Sequence, residues 1–513
     1  MVKVLSAGRS RRIAAAFVVF VVGVAVAGSA AQADPFSTMG YDVESAMLAN
    51  SNTSFGTSIG VLYTNPALLT GVKNQIGINF IFNIPILSVK LKSTPPGSSV
   101  PISLYDSTAG IVKKSDDIAL PTEELMNPRG NTNVNALDPY ATIGVAYNFG
   151  VKRLQVAVLA ELPISLNSAV ISTHYNDERE ANFSNRIYLT RFGQWDKIAG
   201  VMVGAAYQPV DWFSFGLTLQ LTVATTMKLK LYIPDANVQS YSQSNTDAEI
   251  KGSFRPIIGV NFKPLPWLGI GLVWRNESYI AIDGAGQILL WNYHEQDQNK
   301  TIPKRPVQSF KMALNYEPQE ATLGIGVNFK PFTTQVSVTW QDWSQYLDSH
   351  ATHPQFYNDP KILGSAANAY LGQYRFNDTF NVAWSGQWQF KPWGQLALGA
   401  TYQPTPVPAQ TGRTNFADSD LLGVTAGLKF DVEFHNKTSL TMGLDLQVWQ
   451  MFERVIWKNA SRVVDEFPDD SKTSMSGQEM PEAKGLQSNN PGYPGYTVGG
   501  TMVQVGASIT YNF

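Results

Sequence analysis

The sequence predicts an all-β protein, a 14-stranded antiparallel β-barrel that crosses a membrane. Three observations lead to this class: long segments in which apolar and polar residues alternate, connections that are alternately long and short, and the lack, after residue 28, of any apolar run of the ~18 residues expected for a membrane-spanning helix. In lipid, every backbone donor and acceptor must be paired within the protein, and a closed sheet achieves this without helices. A membrane protein of this composition can therefore cross the bilayer only with strands.

The first 33 residues have the features of a secretory signal peptide. Three basic residues precede an apolar stretch over 13–28: Arg9, Arg11 and Arg12. This stretch is shorter than the ~20 residues that a membrane anchor needs, and Ala31-Gln32-Ala33 offers a cleavage site of the A-x-A type. We therefore expect cleavage after Ala33. The chain has no cysteine, which excludes disulfides and thiolate metal sites in the exported protein.

Period-two alternation is clearest at the C-terminus, where one face of the segment is apolar and the other polar. The apolar positions are Val503, Val505, Ala507, Ile509, Tyr511 and Phe513. The same pattern occurs in 213–224 and 440–448. Such runs reach the roughly 9 to 11 residues that a tilted strand needs to cross a bilayer.

Applied to the whole chain, this criterion predicts fourteen strands. They are 75–90, 138–149, 153–171, 197–209, 212–231, 250–263, 266–291, 308–329, 333–348, 379–391, 393–404, 418–431, 437–457 and 497–513. The long connections are 91–137, 172–196, 232–249, 292–307, 349–378, 405–417 and 458–496. All long loops then fall on one rim and all short turns on the other, as in outer-membrane barrels. Four short turns carry an aromatic residue two positions before a proline, at Pro209, Pro264, Pro331 and Pro392, which indicates an aromatic girdle.

Residues 34–74 precede the first strand and show no alternation. They are rich in small and polar residues, and their length is sufficient to fill part of a barrel. We expect them to fold into the lumen as a plug. The predicted organisation is a signal peptide over 1–33, an N-terminal hatch over 34–74 and a barrel over 75–513.

Three motifs, in the same order along the chain, resemble those of the FadL family of outer-membrane long-chain fatty acid and hydrocarbon transporters. The first is Asn65-Pro66-Ala67, which looks like the segment that ends the family's hatch. The second is Trp343-Ser344-Gln345-Tyr346 at a strand end. The third is Pro406-Val407-Pro408, followed by Arg413, Asp418 and Asp420. The resemblance covers essentially the whole mature chain.

The resemblance implies that an amphiphile lands on an apolar groove at the outer rim, enters the lumen, shifts the hatch and leaves sideways at a kinked third strand. In this chain the third strand carries Glu161 and Pro163. Proline removes a ladder donor there, which would mark either the lateral opening or a harmless bulge.

The sequence also departs from the family. Loops 232–249 and 292–307 are short and polar where the family places apolar helices. The groove is then expected elsewhere, at Leu289, Leu290 and Trp291 or at the helically spaced Ile362 and Tyr370. Leu421 replaces the family's arginine after Asp420, so the sequence leaves open how that loop is held.

Strand parity places six basic residues on the inner face of four adjacent strands, with Glu277 as the one opposing carboxylate. They are Lys228, Lys230, Lys251, Arg255, Arg275 and Lys311. In a lumen of low dielectric constant such a surplus favours an anion, so Arg255, Arg275, Lys228 and Lys311 are candidates for binding a ligand carboxylate. The alternative is an internal salt-bridge network that supports the wall.

The predicted function is passive uptake of hydrophobic small molecules across a bacterial outer membrane, with long-chain fatty acids as the expected substrate and lateral exit into the membrane. Uptake of aromatic or aliphatic hydrocarbons by the same fold, or an open porin for polar solutes, are the alternatives. The five histidines all fall in loops or turns, so we expect neither an enzyme nor a metal site. We expect a monomer without cofactors that contacts a hydrophobic ligand, membrane lipid and lipopolysaccharide, but no nucleic acid.

Overall fold

The computed structural model describes residues 36–92, 131–134, 138–164, 169–170, 172–174, 186–189, 191, 194–195, 199–222, 225–235, 240–291, 308–346, 376–411, 416–434, 438–459 and 495–513. The predicted signal peptide and the groove candidates Ile362 and Tyr370 lie outside these residues.

Among the described residues, fourteen antiparallel strands close into a barrel, and a short fifteenth strand of the same sheet, Asn131–Val134, pairs with the end of the first. The fourteen strands are β1 (Gln75–Leu91), β2 (Asp138–Tyr147), β3 (Leu154–Pro163), β4 (Gly200–Val210), β5 (Phe213–Thr222), β6 (Phe254–Leu265), β7 (Leu268–Arg275), β8 (Gln319–Phe329), β9 (Phe332–Asp342), β10 (Thr379–Lys391), β11 (Gly394–Gln403), β12 (Leu421–Glu433), β13 (Ser439–Trp457) and β14 (Gly495–Asn512). Each strand pairs with its neighbours in sequence, and β14 pairs with β1 to close the barrel. The predicted count of fourteen strands is confirmed.

Side-chain burial alternates along the strands as the sequence pattern predicts. On β13, Leu444 and Leu446 are about half exposed, whereas Asp445 and Gln447 between them are buried. The outer surface is therefore an apolar band and the polar residues face inward. At the rim with the short turns, aromatic rings pack in pairs, including Trp267 with Phe329 and Trp212 with Phe262. These rings form the predicted girdle. Among the described residues, no helix is long and apolar enough to cross a membrane.

A four-stranded sheet extends β5, β6, β7 and β8 at the rim with the long loops. Its strands are Thr225–Asp235, Ser240–Lys251, Ser278–Trp291 and Gln308–Glu317. The prediction of 232–249 as a polar connection was therefore wrong, because most of it is strand. Ser240–Lys251 is dominated by Ser, Gln, Asn and Thr, so it lacks the apolar face that period-two alternation requires. β3 also ends at Pro163 instead of residue 171, since proline cannot donate to the ladder.

Residues 36–74, called the lumenal segment below, lie inside the barrel. They contain three short helices, α1 (Phe36–Met39), α2 (Val43–Met47) and α3 (Val61–Thr64), followed by a 3-10 helix (Pro66–Gly71). Every residue from Met39 to Ser54 except Asn50 is buried. The barrel wall donates hydrogen bonds to this segment from widely separated strands: Thr142 to the Tyr41 carbonyl, Ser214 to the Ala67 carbonyl and Thr425 to the Met47 carbonyl. The wall therefore encloses the segment.

Candidate functional site

The Asn65-Pro66-Ala67 motif fastens the lumenal segment to the wall. The Asn65 side chain accepts a hydrogen bond from the Ala67 backbone N–H at 3.1 Å and so caps the 3-10 helix that begins at Pro66. Its amide donates to the carbonyls of Thr53 (2.7 Å) and Val260 (3.2 Å). The Asn65 side chain thus connects two parts of the segment to β6. The motif combines Asn with Pro because Asn caps the 3-10 helix and Pro is favoured at its first position.

Glycine on the inner face of the wall makes this contact possible. A Cβ atom added at Gly259 would lie 2.1 Å from the Asn65 Oδ1 atom, and one added at Gly271 would lie 2.1 Å from the Thr53 carbonyl oxygen. No side chain fits at either position. These glycines lie on the same face of their strands as Arg255 and Arg275, and the position of the lumenal segment shows what approaches them.

Arg275 holds the backbone of the lumenal segment. Its guanidinium donates to the carbonyls of Tyr63 (3.1 and 2.9 Å) and Thr64 (3.2 Å), to the Glu320 carboxylate (3.0 Å) and to the Thr322 hydroxyl (3.0 Å). It also lies 4.4 Å from the centre of the Tyr63 ring. The side chain is 4% exposed. Its donors are therefore engaged by protein acceptors.

Arg255 occupies a similar position on β6. It donates to the carbonyls of Asn276 (2.7 Å) and Pro318 (3.0 Å), it pairs with the Glu317 carboxylate, and it lies 3.8 Å from Glu320. Parity placed both arginines inward, as observed. The sequence predicted Glu277 as the only opposing carboxylate. It did not indicate Glu317 and Glu320, which lie where the strand Gln308–Glu317 ends and β8 begins. This arrangement favours the wall-supporting network over direct binding of a ligand carboxylate.

The two lysine candidates lie in the extension of the wall. The backbone register places Lys228 opposite Asp247 and Lys311 opposite Asp283. The proposed contact of the two lysines with ligand stays a prediction.

A second anchor lies across the lumen from Arg275. The Lys429 ammonium on β12 is 2.8 Å from the Glu44 carboxylate and 3.0 Å from the Thr57 hydroxyl. Glu44 also accepts from the Thr57 N–H at 2.6 Å. Burial alone would raise the pKa of Glu44, but the ammonium and these hydrogen bonds outweigh it, so the pKa lies below its ordinary value. The pair therefore stabilises the segment at neutral pH and is lost as the pH falls through that lowered pKa.

The second and third motifs meet in one aromatic cluster near the long-loop rim. Its members come from five parts of the chain: Tyr316, Trp343, Tyr346, Phe376, Val407 and Phe416. Tyr346 stacks on Phe376 at 4.1 Å, and Phe416 meets Phe376 edge-on at 5.1 Å. The motif spacing along the sequence could not show this meeting, because the residues lie on separate strands and loops.

The loop of the third motif is held by an arginine that sequence reasoning missed. Arg191 pairs with Asp418 at 3.0 Å and donates to the carbonyls of Gln403 and Pro404. Arg454 adds hydrogen bonds to the carbonyls of Asp418 and Pro408. These two arginines supply the fastening that Leu421 cannot.

On β1, β13 and β14 the inner face changes from polar to apolar toward the long-loop rim. We call these residues the apolar inner wall: Leu87, Val89, Trp449, Met451, Val498 and Met502. None is more than 2% exposed, and Met39 of the lumenal segment packs into the same cluster. The lumen of a porin is polar, so this lining is suited to a hydrophobic guest. The opposite wall presents Arg255, Arg275 and Glu320 instead.

Two of the cavities that are lined by described residues lie between the lumenal segment and the wall. A cavity of 70 Å³ lies beside Arg275 and is lined by polar groups that include Thr339 and Asn381. A second cavity of 220 Å³ lies beside Glu44 and Lys429. Each cavity is large enough to hold water molecules. Within the described ranges, no group of three or more His, Cys, Asp or Glu side chains could hold a metal ion.

The predicted lateral-opening residues lie at the end of β3. Pro163 is in register with Tyr140 on β2, whereas the ladder between β3 and β4 stops at Glu161 and Gly200. The Glu161 side chain is buried against Gly200, where an added Cβ would lie 2.9 Å from its Oε2 atom. The opening itself stays a prediction.

The backbone of Leu289, Leu290 and Trp291, the other groove candidates, lies in the outermost part of the extension, paired with Gln243, Ser242 and Tyr241. Their role in a groove also stays a prediction.

Comparison with solved structures identifies similar barrels. A FadL homologue from Pseudomonas aeruginosa matches with a TM-score of 0.54 and 15% sequence identity, over 93% of this chain and 98% of that chain. The toluene transporters TodX of P. putida (TM-score 0.48, 10% identity, 93% and 99% coverage) and TbuX of Ralstonia pickettii (0.45, 10%, 93% and 100%) are also similar, but less closely. No protein-family model matches the chain, and no curated protein matches its sequence. The closed barrel of fourteen strands and its overlap with the P. aeruginosa protein over nearly the whole length show that this chain has the FadL-type fold.

Proposed function

We propose that this protein takes up hydrophobic small molecules passively across a bacterial outer membrane and that residues 34–74 act as its hatch. The observation that carries the proposal is the apolar inner wall next to Met39, inside a lumen that its own N-terminal segment occupies. An open porin for polar solutes is disfavoured, because it needs a continuous aqueous path. The P. aeruginosa protein with the same fold is named a FadL homologue, which agrees with this proposal.

In this proposal the hydrophobic ligand displaces Met39 and packs on Trp449, Met451 and Met502. Methionine is flexible and polarisable, so it adapts to guests of different shape. The hydrogen bond from the Gln447 amide to the Met39 carbonyl, at 2.6 Å, is the polar contact that such displacement would break. Ligand binding at this wall is thereby coupled to movement of the N-terminal part of the hatch.

The double variant Met451→Gln, Met502→Gln tests the apolar wall. Burying one methionine side chain contributes roughly 1.5–3 kcal/mol, so we expect ligand affinity to fall on the order of tenfold or more. The measurement is calorimetric titration with palmitate and with its uncharged analogue hexadecanol. Thr339→Gln on the polar wall is the control. Unchanged affinity of the double variant would place the ligand elsewhere.

The same titration, made with variants of Arg255 and Arg275, shows whether either arginine binds a ligand carboxylate. Because Arg255 and Arg275 are engaged by the wall and the hatch, we expect their substitution to weaken palmitate and hexadecanol binding to the same extent. A carboxylate bound by either arginine would instead make palmitate binding fall selectively, about tenfold to a hundredfold for one charge-assisted hydrogen bond. Long-chain fatty acids remain the substrate class proposed from the sequence.

We further propose that the substrate leaves between β3 and β4. Their ladder stops at Glu161 and Gly200, next to Pro163, and the same two segments pair again at Ala169 with Trp195, so the pairing is interrupted at this site. The chain has no cysteine, so the pair Ala160→Cys, Val201→Cys, whose positions are in register, can lock the two strands together. We expect oxidised protein to take up ligand more slowly, and reduction to restore the rate. A locked pair at Leu398 and Ala426, in register on β11 and β12, is the control; equal inhibition by both pairs would contradict a local exit.

A further inference from the structure

Three buried polar side chains form a cluster on the inner face of β1, β13 and β14. They are Asn83, Asp445 and Gln504, which are 1%, 4% and 0% exposed. Asn83 is in register with Gln504, and Gln504 is in register with Gln447, the next inward residue after Asp445 on β13. The amide of Gln504 lies beside the Asp445 carboxylate. The cluster is separate from the apolar inner wall and from both anchors of the lumenal segment.

Among the described residues, none of the six polar atoms at the ends of these side chains makes a hydrogen bond of good geometry, although the side chains of Gln504 and Gln447 lie close to the Asp445 carboxylate. The neighbouring Gln447 is used elsewhere, because its amide donates to the Met39 carbonyl and its oxygen accepts from the Trp449 indole at 2.9 Å. Lys429 is paired with Glu44. A buried carboxyl group is costly in its ionised form unless it is paired or binds a metal ion, so an ionised Asp445 needs a positively charged partner.

A glycine on the neighbouring strand lets the Asp445 carboxylate lie close against the wall. Asp445 faces Gly506 across the ladder, and a Cβ atom added at Gly506 would lie 1.9 Å from the Asp445 Oδ1 atom. It would also lie 3.2 Å from the Val43 side chain of the lumenal segment. The carboxylate therefore folds over a glycine, directly below α2.

We propose that Asp445, Asn83 and Gln504 bind a hard divalent cation of the Ca²⁺ type. Carboxylate and amide oxygens are the ligands that Ca²⁺ prefers, and it tolerates irregular geometry. With a single carboxylate, the affinity belongs to the weak range of about 10⁻⁴–10⁻³ M. The bound ion would join three strands of the wall directly beneath the lumenal segment. The proposal does not depend on the transport function.

Terbium luminescence tests the site, because Tb³⁺ replaces Ca²⁺ and is excited by a nearby indole. Trp449 occupies the inward position next to Gln447, so it is the expected energy donor. Protein in a non-ionic detergent, treated with EDTA and dialysed, should show saturable Tb³⁺ emission that excess Ca²⁺ reverses. Na⁺ at the same ionic strength should have little effect. Equal competition by Na⁺, or the absence of saturable emission, would overturn the assignment.

Variants locate the ion. Asp445→Asn keeps the side-chain shape and should weaken binding at least tenfold, whereas Asp431→Asn, an inward carboxylate that accepts from Thr441, should leave it unchanged. Trp449→Phe should lose the emission but keep the Ca²⁺-dependent rise in thermal unfolding temperature. If Asp445→Asn does not form a barrel, Asn83→Leu and Gln504→Leu remove oxygen ligands while they leave the charge. Binding that is equal in wild type and in these variants would show that the cluster is not the site.

Discussion

Several inward side chains bind the lumenal segment as well as the wall on which they lie. Arg275 and Lys429 both do so, and they lie on opposite sides of the lumen. Each has a buried carboxylate partner, Glu320 and Glu44 respectively. A buried charge that loses its partner is strongly destabilising. At the scale of single residues, the segment is therefore held by buried ion pairs, and breaking either pair would lower the stability of the folded protein.

Arg275→Met should destabilise the protein by about 3–5 kcal/mol, the usual cost of breaking a buried pair. It should also speed hydrogen exchange around Tyr63 and Thr64, because their carbonyls lose their donor. Urea unfolding and exchange mass spectrometry measure the two effects. The control is Arg153→Met, since Arg153 and Asp211 form an exposed pair and such pairs contribute about 0–1 kcal/mol. Similar losses in both variants would mean that Arg275 does not anchor the segment.

The inner faces of β6 and β7 are shaped to receive the lumenal segment. Glycine takes the place of a side chain where Asn65 and Thr53 touch the wall. The outer faces of the same strands carry large apolar residues such as Ile258 and Leu272, which are half exposed toward the membrane. Because successive side chains of a strand point to opposite faces, each strand contacts lipid with one face and the lumenal segment with the other.

Gly259→Ala should push the Asn65-Pro66-Ala67 motif off the wall, because the new methyl group would lie 2.1 Å from Asn65 and 2.8 Å from the Pro66 ring. We expect a loss of about 1–3 kcal/mol, as for other overpacked sites, and faster proteolysis within 36–74. Gly386→Ala is the matched control, since its nearest neighbour, the Trp384 ring, is 3.4 Å away. Equal stability of both variants would contradict tight packing of the motif.

The whole molecule combines a closed wall with an internal segment from the same chain. The wall pairs all fourteen strands, so it does not need the segment to satisfy its backbone. The segment, by contrast, has four short helical elements of four to six residues, too short to be stable alone. The wall is thus expected to fold without the segment, but not the reverse.

Deletion of residues 36–72 should therefore leave a barrel with a much higher ion conductance. Retained heat-modifiable migration in SDS gels is the control that the barrel has formed. Planar-bilayer recording then compares the deletion variant with the full chain. A folded variant that conducts no better than the full chain would mean that the lumenal segment does not close the pore.

Sequence alone determined the wall: the number of strands, the face of each that meets lipid, and the inward direction of Arg255 and Arg275. These follow from a local period of two, which one chain segment carries by itself. The strand Ser240–Lys251 was not predicted, because its two faces do not differ in polarity.

Only the tertiary structure decided what the inward residues touch. Arg191 pairs with Asp418 across 227 positions of sequence and Arg275 donates to Tyr63 across 212, and no local pattern encodes such a distance. The same is true of the aromatic cluster, the apolar inner wall beside Met39 and the cluster of Asn83, Asp445 and Gln504. These contacts form because closing the barrel brings strands that are distant in sequence around one segment, whose path through the lumen depends on all of them together.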